Sequence, residues 1–443
     1  MAGRRILVVG SGGREHALAA RLAQDDGVAE LVMVPGNPGM AELGRCIDVA
    51  VDDVEGIVAA ARAEGVDLVV VGPEVPLVAG LVDALADAGV PAFGPHGDAA
   101  RLEGSKAFAK AVMDAAGVPT AGWVATSSRD EALAALDRFA APGVPWVVKA
   151  DGLAAGKGVV VTADRAEAEA AVDAALVARR FGDAGATLVI EEFLDGPERS
   201  LFAVCDGEDA VLLAPAQDHK RALDGDEGPN TGGMGAFCPV DGFALGEPHV
   251  DALLGIVILP VLRELARRGT PFRGLLYAGI VDTASGPKVL EYNVRFGDPE
   301  TQVVVARLTS SLVDLLWASA TGSPASGDGV ASVPVTFDDG AAVTVVMASA
   351  GYPASSSRGD VIAGVEDAGA LEGVQVLHAG TAREGTGRLV TAGGRVLAVT
   401  ARGTDVDEAR ERAYGAVARI RFDGAQHRTD IGLIGRGVRD GRG

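Results

Sequence analysis

The sequence is poor in cysteine, in lysine and in net positive charge, and it has no long apolar run. Its three cysteines, Cys46, Cys205 and Cys238, are far apart and odd in number. They supply neither a disulfide framework nor a zinc spacing, and a reducing, cytoplasmic setting is expected. No window reaches the ~18 apolar residues of a membrane helix. The apolar run at 6–10 is too short for a secretory signal, and Ser11-Gly12-Gly13-Arg14-Glu15 follows at once. A buried strand entering a turn is expected there instead.

Acidic residues outnumber basic ones, 61 to 39, for a net charge of −22. A phosphate backbone wants a basic face, which argues against general nucleic-acid binding. Small anionic substrates would need local basic pockets. Only six of the basic residues are lysines: Lys106, Lys110, Lys149, Lys157, Lys220 and Lys288. A chain that otherwise uses arginine is expected to keep lysine where a compact ammonium matters. No feature of the sequence calls for an obligate protein partner.

What is present is a globular composition, 48% hydrophobic and 23% charged over 443 residues. That length suits roughly two to four domains. The first 100 residues alternate strand signals at 6–10, 31–35 and 68–72 with helix signals at 15–24, 54–64 and 78–88. Such a βαβ pattern predicts a parallel sheet covered on both faces. Ligands of such sheets lie beyond the carboxyl ends of the strands, where Gly12, Gly13 and Gly72-Pro73-Glu74 fall.

A second region begins near Arg101, with a helix at 106–116 ended by Gly117-Val118-Pro119. Strands at 146–150, 159–162 and 187–192, with a helix from 165 to about 180, suggest a small lid. Residues 195–320 return to strands, a polar glycine-rich loop at 224–235 and helices at 249–268 and 299–320. The stretch 321–332 reads as a linker. Strands at 343–348, 374–379 and 396–400 and a helix at 405–420 follow.

Five stretches can carry chemistry. Gly10-Ser11-Gly12-Gly13-Arg14-Glu15 is no dinucleotide fingerprint, because Glu15 holds the third glycine position. It remains a strand-to-helix turn that presents backbone N–H groups and Arg14 to an anion. The stretch from Lys149 to Gly156-Lys157-Gly158 is one residue short of a Walker loop and has Gly158 where Ser or Thr would hold magnesium. Lying between two strands, it suits a glycine flap over a triphosphate, with Lys149 at the strand end. Glu191-Glu192-Phe193-Leu194, with Glu198 following, could form a hinge beside adenine and accept from ribose hydroxyls.

In the fourth stretch, strand alternation puts Glu291 and Asn293 on one face and Leu290, Tyr292 and Val294 on the apolar one. A carboxylate and an amide oxygen on a rigid strand make a fair magnesium site. Arg295 could fork onto a carboxylate or phosphate. The fifth is Asp218-His219-Lys220-Arg221 with the loop Gly228-Pro229-Asn230-Thr231-Gly232-Gly233-Met234-Gly235, polar enough to wrap a small substrate. Neither His16 nor His219 is assigned as a base, and no Ser-His-Asp arrangement or His/Cys metal cluster is present.

Taken in order, these stretches resemble the phosphoribosylamine–glycine ligases (glycinamide ribonucleotide synthetases), a family of the ATP-grasp superfamily. The matching segments include Gly12-Gly13-Arg14-Glu15-His16, Gly72-Pro73-Glu74, Leu102-Glu103-Gly104-Ser105-Lys106, Gln217-Asp218-His219-Lys220-Arg221, His378-Ala379-Gly380-Thr381 and Asp430-Ile431-Gly432. The most specific are the run from Pro229 to Gly235 and Asn293-Val294-Arg295-Phe296-Gly297-Asp298-Pro299-Glu300-Thr301-Gln302.

The resemblance implies a multidomain α/β and α+β protein. A parallel-sheet domain at 1–100 would precede a two-lobed ATP-grasp domain, with a central lobe at 101–122 and 192–325 and a lid at 123–191. A small C-terminal α+β domain would occupy 333–443. It also implies a reaction of de novo purine synthesis. ATP phosphorylates the carboxylate of glycine, and the amine of phosphoribosylamine displaces phosphate to give glycinamide ribonucleotide. ATP and magnesium, or manganese in its place, would be required, and the partners would be small molecules.

The implied roles put Lys106, Lys149, Gly156, Lys157 and Gly158 on the triphosphate and Glu191, Glu192, Phe193, Leu194 and Glu198 on the nucleoside. Glu291 and Asn293 would hold the metal. Lys220, Arg295 and Asp298 would be catalytic, holding glycine, the acyl phosphate or the amine. Gly12, Gly13, Arg14 and Glu74 would meet the ribose phosphate, and Asp218 would also bind substrate. In one departure, many ATP-grasp enzymes carry a further acidic metal ligand on the preceding strand. Here that neighbourhood is Tyr277-Ala278-Gly279-Ile280, so a second cation would rest on phosphates. A related carboxylase is opposed by the run from Asn293 to Glu300, and a non-catalytic nucleotide module by Lys149, Glu291, Asn293 and Arg295.

Overall fold

A computed structural model of the chain describes residues 3–154, 158–322 and 329–433. Gly156 and Lys157 of the expected flap lie outside them. The N-terminal sheet holds β1 (Arg4–Gly10), β2 (Val28–Pro35), β3 (Arg45–Cys46), β4 (Leu68–Val71) and β5 (Ala92–Phe93). Its order is β3-β2-β1-β4-β5 with every pair parallel. Along β1, Leu7 and Val9 enter one core while Ile6 and Val8 enter another. Burial on both faces is why this strand is a continuous apolar run and does not alternate. The order reverses between β1 and β4, so the turns after them open the crevice where ligands bind in this architecture.

The helix expected at 78–88 is two helices, Glu74–Val78 and Leu81–Asp87, because Gly80 between them takes a left-handed φ of 84°. The helix Lys106–Ala116 keeps its expected bounds. Ser105 accepts from the Phe108 N–H at one end, and Gly117, at φ 68°, closes the other.

Four strands, β6 (Trp123–Thr126), β7 (Trp146–Ala150), β8 (Val159–Thr162) and β9 (Leu188–Glu191), form an antiparallel sheet of order β6-β9-β7-β8. It has its own small core, with Leu136, Val148, Val172 and Ile190. The remaining strands are β10 (Glu198–Asp206), β11 (Ala210–Asp218), β12 (Arg221–Leu223), β13 (Glu227–Asn230), β14 (Gly235–Cys238), β15 (Arg273–Thr283), β16 (Gly286–Asn293), β17 (Ala341–Ala348), β18 (Val374–His378), β19 (Thr381–Arg383), β20 (Leu389–Thr391) and β21 (Arg395–Gly403). Eight of them make one antiparallel sheet, β16-β15-β10-β11-β14-β17-β21-β18. It passes across the stretch that reads as a linker, because β14 pairs with β17.

Three local expectations are corrected. The loop at 224–235 contains β13, which pairs with β12. The helix expected at 299–320 is two, Glu300–Arg307 and Leu312–Thr321, because Leu308 is extended and Ser311 caps a new start. In β16 the register jumps from Glu291 opposite Gly279 to Val289 opposite Ile280. Leu290 is the extra residue of a bulge, so Val289 joins Tyr292 and Val294 in the core while Leu290 stays half-buried. Strict alternation fails there, and a bulge of this kind re-aims the residues that follow it. Among the described residues no helix is long and apolar enough to cross a membrane.

Candidate active site

The site is built from strand ends and the helix N-termini that meet them. Lys106 opens its helix beside the turn that follows β7. Its ammonium lies 3.3 Å from the Gly152 carbonyl, and the Asp151 carboxylate accepts from Ser105 Oγ at 3.0 Å and the Ala107 N–H at 2.7 Å. At the end of β9, Glu191 Oε2 lies 3.0 Å from Lys149 Nζ and 3.1 Å from Lys110 Nζ. Lys110 also donates to Thr120 Oγ1 at 2.8 Å. Burial, above all, lowers the proton affinity of Lys106 and Lys110, and the nearby Lys149 charge adds to it. Phe193 and Leu194 are half-buried beyond β9, and the exposed Glu192 accepts from the Gly122 N–H at 3.2 Å.

Glu291 and Asn293 end β16. Burial alone would raise the Glu291 carboxyl, but Lys220, Lys149 and Lys106 together hold it below the ordinary carboxylate range. Among the described residues it accepts no hydrogen bond and forms no ion pair, which leaves an ionised carboxylate open to a cation. Asn293 Oδ1 lies 3.4 Å from Arg295 Nη2. No group of three or more His, Cys, Asp or Glu among the described residues is arranged to hold a metal. A cation on Glu291 and Asn293 would therefore complete its shell with water and phosphate, as magnesium does. Gly279 stands opposite Glu291, and a Cβ there would lie 3.7 Å from Glu198 Oε1. Glu198 thus reaches toward β16 from β10, and it pairs with Lys220.

Arg295 is enclosed by acids. It pairs with Glu74 at 3.3 Å and Glu103 at 3.1 Å and donates to the Phe296 carbonyl at 3.2 Å. Glu103 also accepts the Val294 N–H at 2.8 Å, so it fixes the strand end as well as the arginine. Arg14 is buried too. It donates to Glu15 at 2.5 Å and to the Phe296 carbonyl at 2.9 Å. Burial would raise Glu74, but Arg295 and Arg14 outweigh it and hold the carboxyl low.

Glu15 packs at the base of the crevice between β1 and β4, where its carboxylate accepts the Gly12 N–H at 2.7 Å. A Cβ on Gly10 would come within 2.5 Å of its side chain, and one on Gly72 would collide with it. On the other side of this turn, a Cβ on Gly12 would be 3.5 Å from Asp298 Oδ2. Asp298 is held by Gln302 Nε2 at 2.8 Å and Arg395 Nη2 at 3.1 Å.

Asp218 lies beside Lys220, Glu198 and Glu300. Burial, then the Glu300 and Glu198 charges, raise it well above the ordinary value despite Lys220. Lys220 is opposed by burial but raised overall by Glu198, Asp218 and Glu291. Glu300 accepts from Tyr277 Oη at 2.7 Å, which in turn meets Ser200 Oγ at 2.8 Å. Lys110, Glu103, Glu300 and Arg395 carry no role in the sequence reading. For Lys110 the scarcity of lysine is a signal, and Glu103 and Glu300 stand inside the matching segments. Arg395 has no such signal.

Three family models match the chain in order. They are the phosphoribosylglycinamide synthetase N domain at residues 4–103, ATP-grasp (A) domain at 104–301 and C domain at 342–434. The chain belongs to this family. It is 54% identical over 437 residues to a phosphoribosylamine–glycine ligase of Streptomyces coelicolor, covering 98% of this chain and 100% of that one. It is 50% identical to one of Mycobacterium leprae, covering 97% and 98%. The solved phosphoribosylamine–glycine ligase of Thermotoga maritima has a TM-score of 0.83 at 33% identity and covers 96% of this chain and 99% of that one. A biotin carboxylase of Campylobacter jejuni, TM-score 0.70 at 15% identity, covers 96% and 93% and shares the fold.

In the terms of this family, three of the acidic anchors sit at domain junctions. Glu74 and Glu103 of the N domain hold Arg295 of the ATP-grasp domain. Asp298 of the ATP-grasp domain holds Arg395 of the C domain. Gly12 and Gly13 of the N domain close against Asp298 and Gln302. The three domains of this phosphoribosylglycinamide synthetase fold therefore meet around Arg295 and Asp298.

Proposed function

We propose that the chain joins phosphoribosylamine to glycine at the expense of ATP, through glycyl phosphate, in de novo purine synthesis. The observation that carries this reading is Glu291, kept ionised by the ammonium groups of Lys220, Lys149 and Lys106 at the end of β16. An acid open to a cation and ringed by lysines suits a metal-bound triphosphate. Lys106 and Lys149 would face the phosphates, with the flap residues Gly156, Lys157 and Gly158. Glu192, Phe193, Leu194 and Glu198 would take the nucleoside, while the buried Glu191 side chain, held by Lys149 and Lys110, would serve from behind them. Magnesium, or manganese in its place, would be held by Glu291 and Asn293 and would neutralise phosphate charge.

A glycine carboxylate oxygen attacks the γ-phosphorus and ADP leaves. The neutral amine nitrogen then attacks the glycyl carbonyl, phosphate leaves, and the nitrogen gives up a proton to the departing phosphate or to water. Lys220 would face the acyl phosphate, and Asp218 and Asp298 the amino groups of the substrates. Arg295 would act mainly by fixing the end of β16, since Glu74 and Glu103 occupy it. Gly12, Gly13, Arg14 and Glu74 border the crevice proposed for the ribose phosphate. A closed cleft would keep water from the acyl phosphate. The setting proposed is the cytoplasm, with small molecules as the only required partners.

The test is to supply ATP, magnesium, labelled glycine and phosphoribosylamine made in place from ribose 5-phosphate and ammonia. Labelled glycinamide ribonucleotide should form only with all components and should collapse in Glu291→Ala. Folded, ATP-binding protein that makes no such product would overturn the assignment.

A further inference from the structure

Glu191 carries two ammonium partners on one oxygen. Lys149 Nζ is 3.0 Å and Lys110 Nζ 3.1 Å from Oε2, and none of the three side chains is more than 4% exposed. The other oxygen, Oε1, is buried without a hydrogen-bond partner among the described residues. Lys149 and Glu191 belong to neighbouring strands of the lid sheet, β7 and β9. Lys110 belongs to the helix Lys106–Ala116, outside that sheet. Its ammonium is also tied to Thr120 Oγ1, which donates to the Val289 carbonyl at 2.6 Å. Val289 immediately precedes the bulge that leads to Glu291.

One carboxylate in direct contact with two ammonium groups leaves one positive charge in a dry place that only the more distant Glu291 offsets. Such an excess is unfavourable until an anion arrives. With Lys149 as its only partner, Glu191 would be stranded whenever that ammonium turned toward a phosphate. A stranded buried carboxylate opposes the movement that creates it. With Lys110 on the same oxygen, Glu191 keeps a counter-charge throughout.

We propose that Lys110 is a positioning residue for ATP, keeping Glu191 neutralised so that Lys149 is free to serve the polyphosphate. Lys110 does not itself reach the nucleotide, because Glu191 and Thr120 hold its ammonium at 2% exposure. The inference rests on the reading of Lys149 as a phosphate-binding group. It adds a hydrogen-bonded chain from the lid sheet through Lys110 and Thr120 to β16.

The test compares Lys110→Met, Lys110→Arg, Thr120→Val and Lys149→Met in the full chain, by calorimetric binding of magnesium-ATP and by steady-state kinetics. Lys110→Met should weaken ATP binding about tenfold, a change of about 1.4 kcal/mol. KM for glycine and kcat should stay within about twofold. Adding Glu191→Gln to Lys110→Met should recover part of the ATP affinity, which a packing defect would not do. If Lys110→Met does not fold, Thr120→Val should shift ATP binding in the same direction by a smaller factor, and Lys110→Arg, which keeps the charge, should stay nearer the parent. Unchanged ATP binding in Lys110→Met and Thr120→Val, with a clear loss in Lys149→Met, would overturn the inference and leave the Lys149 reading standing. An equal rise in all three substrate KM values would overturn it as well. Unchanged ATP binding in Lys149→Met would remove the reading itself.

Discussion

Arg395 grips Asp298 twice, with Nη2 3.1 Å from the carboxylate and Nη1 donating to the backbone carbonyl at 2.8 Å. The same Nη1 donates to the Gly232 carbonyl at 2.6 Å. One guanidinium of the C domain therefore fixes both the glycine-rich loop and the acid that borders Gly12. Burial would raise Asp298, but Arg395 and then Arg14 keep it below the ordinary carboxylate range. Arg395→Met should cost about 2–3 kcal/mol in kcat/KM for phosphoribosylamine, on the order of 30–150-fold. KM for ATP should be unmoved, since Lys106 and Lys149 lie on other elements. Equal losses for ATP and phosphoribosylamine would contradict the placement of Asp298 on the acceptor side.

Three buried histidines set an acid limit on stability. Burial is the main cause in each case, lowering His16 to about 3 and His219 and His378 to about 4. Each is neutral in the folded chain near pH 7. The unfolded chain takes up a proton at an ordinary histidine value of about 6.5. Between that pH and each folded value, the unfolded state binds more protons, so stability falls as pH falls. The slope is about 1.4 kcal/mol per pH unit for each histidine. Denaturant midpoints at pH 7, 6 and 5 should decline, partly offset by the raised carboxyls of Asp218 and Glu103, and the decline should be less steep in His219→Gln; an equal decline in that variant would contradict a neutral His219 in the folded chain.

Glycine at position 72 is required by a side chain and not by its own backbone. The carboxylate of Glu15 occupies the place where a Cβ would stand. Gly72→Ala should force Glu15 off the Gly12 N–H at the cost of about 1–3 kcal/mol, the usual range for overpacking. The thermal midpoint should fall by several degrees, with a loss of phosphoribosylamine binding, since Glu15 shapes the turn at Gly12. An unchanged midpoint would mean that Glu15 can move without consequence.

Much of this fold was legible because its signals are local. The β1 run is apolar at every position, so burial on both faces followed from composition alone. Ser105 and Gly117 bounded their helix by short-range capping. The break at Gly80 leaves no mark in the sequence pattern because an apolar stripe continues across it. The bulge at Leu290 was hidden because it is set by the partner strand β15 and not by β16 itself. Candidate residues within contiguous motifs could be nominated. The groups that fix them could not, since Lys110 meets Glu191, Glu103 meets Val294 and Asp298 meets Arg395 only after folding.

Glu103 offers the sharpest separation of positioning from binding. Its carboxylate takes the Val294 N–H at 2.8 Å and Arg295 at 3.1 Å, so it braces the chain on both sides of the turn that follows Asn293. Burial leads the upward shift of its carboxyl, and the Glu74 charge adds to it against Arg295. Removing the carboxylate leaves a buried guanidinium with one acidic partner fewer and a backbone N–H with none. Glu103→Ala should therefore cost about 3–5 kcal/mol in stability, the range for a broken buried pair. Glu103→Gln keeps a hydrogen-bond acceptor for Val294 but not the charge, and it should retain the fold. In that variant Asn293 would be displaced along with Arg295, and the metal dependence should change before ATP affinity does. The measurement is the magnesium concentration for half-maximal rate at saturating ATP, expected to rise about tenfold in Glu103→Gln. A normal magnesium response with a reduced kcat would place the role of Glu103 in the chemistry beyond the metal strand.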